Sequence, residues 1–339
     1  MKILVTGGCG YIGSHTMVDL INHGFEVICL DSNIRSDNSA LEGVFKITGQ
    51  KVKHYPIDLC DLNATRALFK TNADVVGIIH FAALKSVGES VDKPLLYHQN
   101  NIISLLNLLQ CVQDFNIPNF IFSSSCSVYG NAAELPVTEK TPLQEAESPY
   151  ARTKQVAEYI IEDFYNSRPD LNSIILRYFN PAGAHPSLLI GEKPFGSPVT
   201  LVPVITDTAL GKRAKLKVFG TDYDTRDGSC IRDYIYIMDL ANAHTKSVQY
   251  LLKGEVDNNC DILNLGAGEG VSVLEMIHAF EETTGVSLNY ELTDRREGDI
   301  VAVYADSSKA KNKIGWIPQY NVKDIMKTAW GWVQRNNNK

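Results

Sequence analysis

Short apolar runs alternate with longer segments of helical period through the first half of the chain. KILVTG, EVICLD, KVKHYPID, VVGIIHFAA, NFIFSSS and NSIILRYFN read as strands, and such uninterrupted runs suit a parallel sheet covered on both faces. Between them lie HTMVDLINHG, NATRALFKTN, PLLYHQNNIISLLNLLQCVQDFN and PYARTKQVAEYIIEDFYNS, which read as helices. The βαβα order predicts an α/β fold of the Rossmann type, a doubly wound parallel sheet. After Asn180 the texture changes to PAGAHPSLLIGEKPFGSPVT, rich in Gly and Pro and without period, which places a lobe boundary there. Residues 1–180 are expected to form the Rossmann domain. Residues 181–339 are expected to form a smaller mixed α/β domain contributing substrate contacts, with segments around 232–255 packing back on the first. The helix expected over 95–115 is apolar on more than one face, which predicts burial inside the fold or against another subunit.

Composition narrows the partners. A chain of 339 residues with 44% hydrophobic and 21% charged positions is an ordinary globular protein rather than a disordered one. A net charge of −7 with no long Lys/Arg block argues against nucleic acid or a membrane surface, and GKRAKLK reads as a solvated face. No apolar run approaches the roughly 20 residues that a bilayer requires. The 7 cysteines are scattered without a CxxC pair and the 8 histidines lack HxxxH spacing, so no disulfide framework or metal site is expected. A soluble protein of the reducing cytoplasm fits best.

TGGCGYIG sets Gly7, Gly10 and Gly13 between a strand and a helix. There glycines permit a tight turn and close backbone approach, while the helix N-terminus offers N–H donors to a pyrophosphate. The second strand ends in Asp31, whose carboxylate would accept from adenine ribose hydroxyls and disfavour a 2′-phosphate, so NAD is expected over NADP. Asp58 and Leu59 follow the third strand, where Asp58 could reach the adenine or cap a helix. Phe81, Ala82, Ala83 and Lys85 follow the fourth, where small residues would let the cofactor lie against the backbone. A second cluster, LGAGEG, lacks a following βαβ unit and reads as a tight connection.

In SPYARTKQVAEY, Tyr150 and Lys154 stand four apart and share one helix face, with Cβ atoms about 5–6 Å apart. A phenol of pKa about 10 acting as a base near neutrality needs stabilisation of its anion by about 4 kcal/mol. One ammonium about 5 Å away at an effective dielectric of 20 supplies on the order of 3 kcal/mol. A cationic nicotinamide could supply the remainder. Upstream, the hydroxyls of Ser123 to Ser125 in SSSCSVYG would emerge at the carboxyl edge of the sheet, where this fold binds ligands.

These motifs, with HFAALKSVGES, LRYFNPAGAHPS, CIRDYIYIMDLANAH, LNLGAGEGVSVLEM and RREGDIVAVYADSSKA, make the chain resemble the extended short-chain dehydrogenase/reductases and, within them, the UDP-glucose 4-epimerase family. The resemblance spans nearly the whole chain. It implies an isomerase that holds NAD tightly and inverts a UDP-hexose at C4 through a transient 4-keto sugar. Tyr150 would be the base, Lys154 would bind the nicotinamide ribose and lower the Tyr150 pKa, and Ser125 would assist at the sugar 4-oxygen. Tyr11, Ile12, Asn100, Ser123 and Tyr178 are implied as further cofactor contacts. Lys85, Tyr178, Phe179, Asn180, Leu201, Phe219, Arg232, Arg296 and Asp299 are implied around the substrate, and a homodimer packed through two helices per subunit is implied as well. For Arg232 and Arg296, ion pairing with Asp233 or Asp299 stays open beside diphosphate binding.

Two positions depart from the family pattern. Thr200 stands where an Asn is usual, which puts one substrate contact in doubt. Val303 stands where enzymes restricted to unmodified hexoses carry a tyrosine, which implies room for an N-acetyl group and so acceptance of UDP-N-acetylglucosamine and its galactosamine epimer. Among other readings, a nucleotide-sugar 4,6-dehydratase or decarboxylase would place carboxylates after the catalytic hydroxyl, where this chain has Cys126 and Ser127. A net reductase would accumulate NADH, and a non-catalytic NAD-binding protein would tolerate loss of Tyr150.

Overall fold

In the computed structural model, which describes residues 1–254, 256–296 and 299–337, every apolar run named above becomes a strand of one sheet. The elements are, in order, β1 Lys2–Thr6, α1 Tyr11–Asn22, β2 Glu26–Leu30, α2 Ser39–Thr48, β3 Lys53–Tyr55, α3 Leu62–Thr71 and β4 Val75–His80. Then come α4 Val87–Asp92, α5 Pro94–Phe115, β5 Asn119–Ser125, a 3-10 turn Cys126–Tyr129, α6 Pro149–Ser167 and β6 Asn172–Tyr178. The second half contributes β7 Asn180–Ala182, α7 Leu201–Ala209, β8 Leu216–Phe219, β9 Ile231–Tyr236, α8 Ile237–Lys253 and β10 Cys260–Leu265. It continues with β11 Gly270–Ser272, α9 Val273–Thr284, β12 Tyr290–Thr293, β13 Ala302–Val303, α10 Ser308–Ile314 and α11 Val322–Asn337.

The main sheet has seven strands in the order β10-β6-β5-β4-β1-β2-β3, and all its pairings are parallel. The direction of winding reverses between β1 and β4, which opens a crevice above their carboxyl ends, the place where such sheets bind ligands. Both faces are covered. Val18, Leu20 and Ile21 of α1 share one apolar core with Leu240, Ala243, Val248 and Leu251 of α8. Leu68 and Phe69 of α3, Leu105, Leu108 and Val112 of α5 and Ile161 and Tyr165 of α6 build the core on the other face.

The lobe boundary drawn at Asn180 is therefore not where the layers divide. Helix α8 lies on α1, the packing-back expected of the segment around 232–255, but DILNLG, read with the second lobe, is β10, the edge strand beside β6. An apolar run with burial pattern iBiBBB pairs wherever an open edge accepts it, and chain order does not encode that edge. The second lobe proper carries a small sheet, β11-β9-β13 with β7 also on β9, and the parallel pair β8 and β12.

LGAGEG is a tight connection from β10 to β11. It wraps the buried carboxylate of Asp233, which accepts from the backbone N–H groups of Ala267 (2.7 Å), Gly268 (3.1 Å) and Ala305 (3.1 Å). A Cβ at Gly266 would stand 2.2 Å from Asp233 Oδ2, which is why that position is glycine. Helix α5 turns one apolar face inward and leaves another outside: Leu95, Leu96, Ile103 and Leu106 are exposed, as is Tyr159 on neighbouring α6.

Candidate functional site

The glycine loop joins β1 to α1 at the crevice. Gly7 has φ +67°, and a Cβ there would stand 2.8 Å from Ala82 N, so only glycine lets the loop rest on the backbone after β4. Gly10 N–H donates to Gly7 O (3.0 Å), and α1 starts on Gly10 without a side-chain cap, which leaves its first N–H groups for an anion. A Cβ on Gly13 would meet Gly7 O at 2.4 Å. Tyr11 reaches out of the loop to donate to Gly183 O (2.6 Å), tying it to the second lobe, while Ile12 packs against the core shared with α8.

Asp31 ends β2 nearly buried. Its carboxylate accepts from Cys9 N (3.0 Å), Asn33 N (2.9 Å) and Ser36 Oγ (2.8 Å), so it is fixed beside the loop. Asp58 is not a helix cap. The cap of α3 is Asp61, which accepts from Ala64 N, while Asp58 accepts from Cys60 N (2.9 Å) in its own turn beside buried Leu59. The Cys60 thiol lies against Asn100 O, bringing that turn to α5. After β4, Phe81 N–H donates to Thr6 O, and Asn101 clamps the next turn through paired bonds with Leu84, at 2.8 and 3.0 Å. Ala83 and a largely exposed Lys85 follow, and Lys85 Nζ stands 3.7 Å from Glu192.

The glycine cradle, an uncapped helix start and a buried acid at the end of β2 together fit a dinucleotide whose ribose is unphosphorylated.

Helix α6 starts with Ser148 accepting from Ala151 N and with Pro149 at its first turn, which fixes Tyr150 at the crevice. Lys154 is 4% exposed. Its ammonium donates to Ser123 O (2.6 Å) and lies over the Phe122 ring at 4.7 Å and the Tyr150 ring at 6.0 Å. Tyr178 at the end of β6 shares a hydrogen bond with Ser123 Oγ. Ser125 accepts from Ser127 N (3.2 Å) and thereby shapes the turn beneath the phenol.

Burial pushes the Tyr150 phenol up to about 12; the Ser125 hydroxyl pulls it back, while Cys126 and Tyr97 add to the rise. Burial also brings the Lys154 ammonium down to about 8, against the pull of Glu158. The attraction of one ammonium is outweighed by the cost of burying the phenolate, which works in the opposite direction. The protein's own groups leave Tyr150 protonated at neutral pH, so a further positive charge at the crevice is needed to make it a base.

Across the crevice, Phe179 is buried after β6, and Asn180 opens β7 beside Tyr234. Thr200 precedes α7 without capping it, so its hydroxyl is not committed to the helix, and Leu201 follows as the first helical residue. Arg296 donates to Asp299 Oδ1 (2.7 Å) and stacks over the Phe219 ring at 5.3 Å, while Arg232 stands 3.9 Å from the same carboxylate. Of the two ion pairs left open by the sequence, the structure forms those with Asp299. Asp233 points to the other side of β9, into the LGAGEG turn. The Arg232 charge reaches Cys126, pulling down a thiol that burial holds at about 12, so the two halves of the site are neighbours. Val303 pairs with Arg232 in register and packs with Val128, Tyr129 and Phe179, between the serine turn and the arginines.

Beneath the serines lies a network that motif reading missed. Glu158, 2% exposed, takes bonds from Arg177 Nε (3.0 Å) and Nη2 (2.5 Å) and from the Ser124 hydroxyl. Arg177 also donates to Tyr129 OH (3.2 Å), which donates to Asn264 Oδ1 (2.6 Å) on β10. The available signal was the i, i+4 spacing of Glu158 from Lys154, which puts an acid on the buried face. Among the described residues, no carboxylate hydrogen-bonds Ser125 or Tyr150.

Residues 4–329 match the family model described as GDP-mannose 4,6 dehydratase. The chain is 45% identical to UDP-glucose 4-epimerase of Haemophilus influenzae over 339 residues, 100% of this chain and 99% of that one. It superposes with TM-score 0.96 at 42% identity on the UDP-glucose-4-epimerase of Stenotrophomonas maltophila with bound NAD and formylated UDP-arabinopyranose. It superposes with TM-score 0.94 at 42% identity on that of Bifidobacterium longum in complex with NAD+ and UDP. Each match covers 100% of this chain and 99% of the other.

Proposed function

The chain belongs to the UDP-glucose 4-epimerase family of the extended short-chain dehydrogenase/reductases, and from that premise we propose that it is an NAD-dependent isomerase that inverts C4 of UDP-hexoses, with Tyr150 as its acid and base. The observation that carries this reading is the convergence of Tyr150, Lys154 and the β5 serines at the crevice, with no carboxylate bonded to the reacting hydroxyls among the described residues. A 4,6-dehydratase, the activity that describes the matching family model, needs an acid for elimination. Here Cys126 and Ser127 occupy those positions.

When bound, NAD would accept the C4 hydride and return it. Gly7, Gly10 and Asp31 hold the dinucleotide in this reading. Lys154, anchored on Ser123 O, presents its ammonium at the ribose. Tyr150 takes the 4-hydroxyl proton and later gives it back to the same oxygen, while Ser125 steadies that oxygen. Arg232 and Arg296 exchange Asp299 for the diphosphate, and Phe219, Leu201 and Thr200 border the uridine. The nucleotide stays gripped while the keto sugar turns over between two faces.

The finer substrate range rests on Val303. Val303 is buried beside Arg232, and in this reading its smaller volume, compared with a tyrosine, is what admits an N-acetyl group, so that UDP-N-acetylglucosamine and UDP-N-acetylgalactosamine are accepted beside UDP-glucose and UDP-galactose. Val303→Tyr is expected to lower acetamido-sugar turnover roughly tenfold or more relative to hexose turnover, as loss of pocket volume does. Product analysis on all four UDP-sugars measures that ratio, and an unchanged ratio removes the gate.

The apolar outer faces of α5 and α6, with Leu106 and Tyr159 exposed, support a homodimer through these helices. Seven cysteines, none in a disulfide, fit a reducing compartment such as the cytoplasm.

A further inference from the structure

The sequence holds no metal-ligand spacing, yet the fold collects three soft donors beneath the glycine loop. Cys29 on β2 and His54 on β3 are cross-strand neighbours in register, and Cys9 folds down on them from the loop. The two sulfurs and a His54 ring nitrogen all lie within 4.8 Å of one another. The Cys9 and Cys29 sulfurs are 3.8 Å apart. Two zinc–sulfur bonds of about 2.3 Å at a tetrahedral angle place their sulfurs about 3.8 Å apart. His54 Nε2 meets Asp31 O at 2.9 Å. A carbonyl only accepts, so this bond places the ring proton on Nε2 and leaves Nδ1 as the nitrogen with a lone pair for an ion.

The surroundings are sulfur-rich as well. A Cβ at Gly8 would stand 2.6 Å from Cys29 Sγ and 3.1 Å from Met17 Sδ, so the loop can cover the cluster only because position 8 has no side chain. Thiolate, thioether and imidazole select zinc-class and other thiophilic ions over magnesium or calcium.

We propose that Cys9, Cys29 and His54 form a binding site for one thiophilic divalent cation under the glycine loop. Binding forms two metal–sulfur bonds and one metal–nitrogen bond, releases two thiol protons to solvent and transfers no electrons. Because Cys9 N–H also donates to Asp31, an ion there pins the loop to the carboxylate proposed to hold the ribose.

The test is cobalt(II) titration of the full-length protein with the cofactor it carries on purification, followed by sulfur-to-cobalt charge-transfer absorption and the tetrahedral visible bands. The expected result is saturation at one ion per chain, abolished by Cys9→Ser and by Cys29→Ala. His54→Asn should weaken binding by more than the roughly 10–100-fold that loss of an outer-shell partner costs. Cys60→Ser, Cys126→Ser and Cys260→Ser, at the partly exposed thiols, should leave the bands unchanged. Zinc should raise the Tm of the parent and not of Cys9→Ser, a readout that separates site loss from misfolding. Absence of the bands, their survival in Cys9→Ser, or their loss with the partly exposed thiols overturns the proposal.

Discussion

Tyr150→Phe should lower kcat for UDP-galactose by roughly 10²–10⁴, the range associated with a positioned general acid–base. The ring is held by the start of α6 and not by its hydroxyl, so the substitution should leave fold and cofactor content as they were. The UDP grip assigned to Arg232, Arg296 and Phe219 lies across the crevice, so affinity for UDP should hardly change. A coupled assay for UDP-glucose gives kcat, and calorimetric titration with UDP gives the binding term. A kcat within a few-fold of the parent would remove Tyr150 from the proton path. A parallel loss of UDP binding would show that the phenol is structural.

The second large effect belongs to stability. Glu158→Gln leaves Arg177 charged and almost fully buried without its bidentate partner. Breaking a buried pair from one side costs about 3–5 kcal/mol, because the remaining charge stays desolvated. For a chain of this size a loss of that order is a fall in Tm on the order of 10 °C. Replacing both partners, Glu158→Gln with Arg177→Met, should recover part of the loss, since no unpaired charge remains. Denaturant melts of the two single variants and the double variant decide it. A single-variant cost under 1 kcal/mol would mean that water or Tyr129 alone satisfies Arg177.

The sequence disclosed what depends on local pattern. Apolar runs specified the strands from KILVTG to NSIILRYFN, the glycines specified the turn over Ala82, and helical periodicity put Tyr150 and Lys154 on one face. What it did not disclose depends on which elements meet. DILNLG becomes β10 because the sheet edge beside β6 was open, and Asp233 turns from the arginines because residues alternate along β9. The Tyr150 phenol rises to about 12 because burial is a property of the packed site rather than of the YxxxK spacing. Cys9, Cys29 and His54 come from three separate segments: the β2–β3 register sets Cys29 beside His54, and the fold of the glycine loop brings Cys9 down on them.

In the proposed reaction the hydrogen removed from C4 comes back to the same carbon on the other face. Incubating the protein as purified, without added NAD, with UDP-galactose deuterated at C4 tests it directly. The expected product is UDP-glucose that retains the deuterium at C4, with no net NADH and no incorporation from solvent. Product that has lost the C4 deuterium to solvent or to released NADH, or a 4-keto-6-deoxy sugar in place of the epimer, would contradict it.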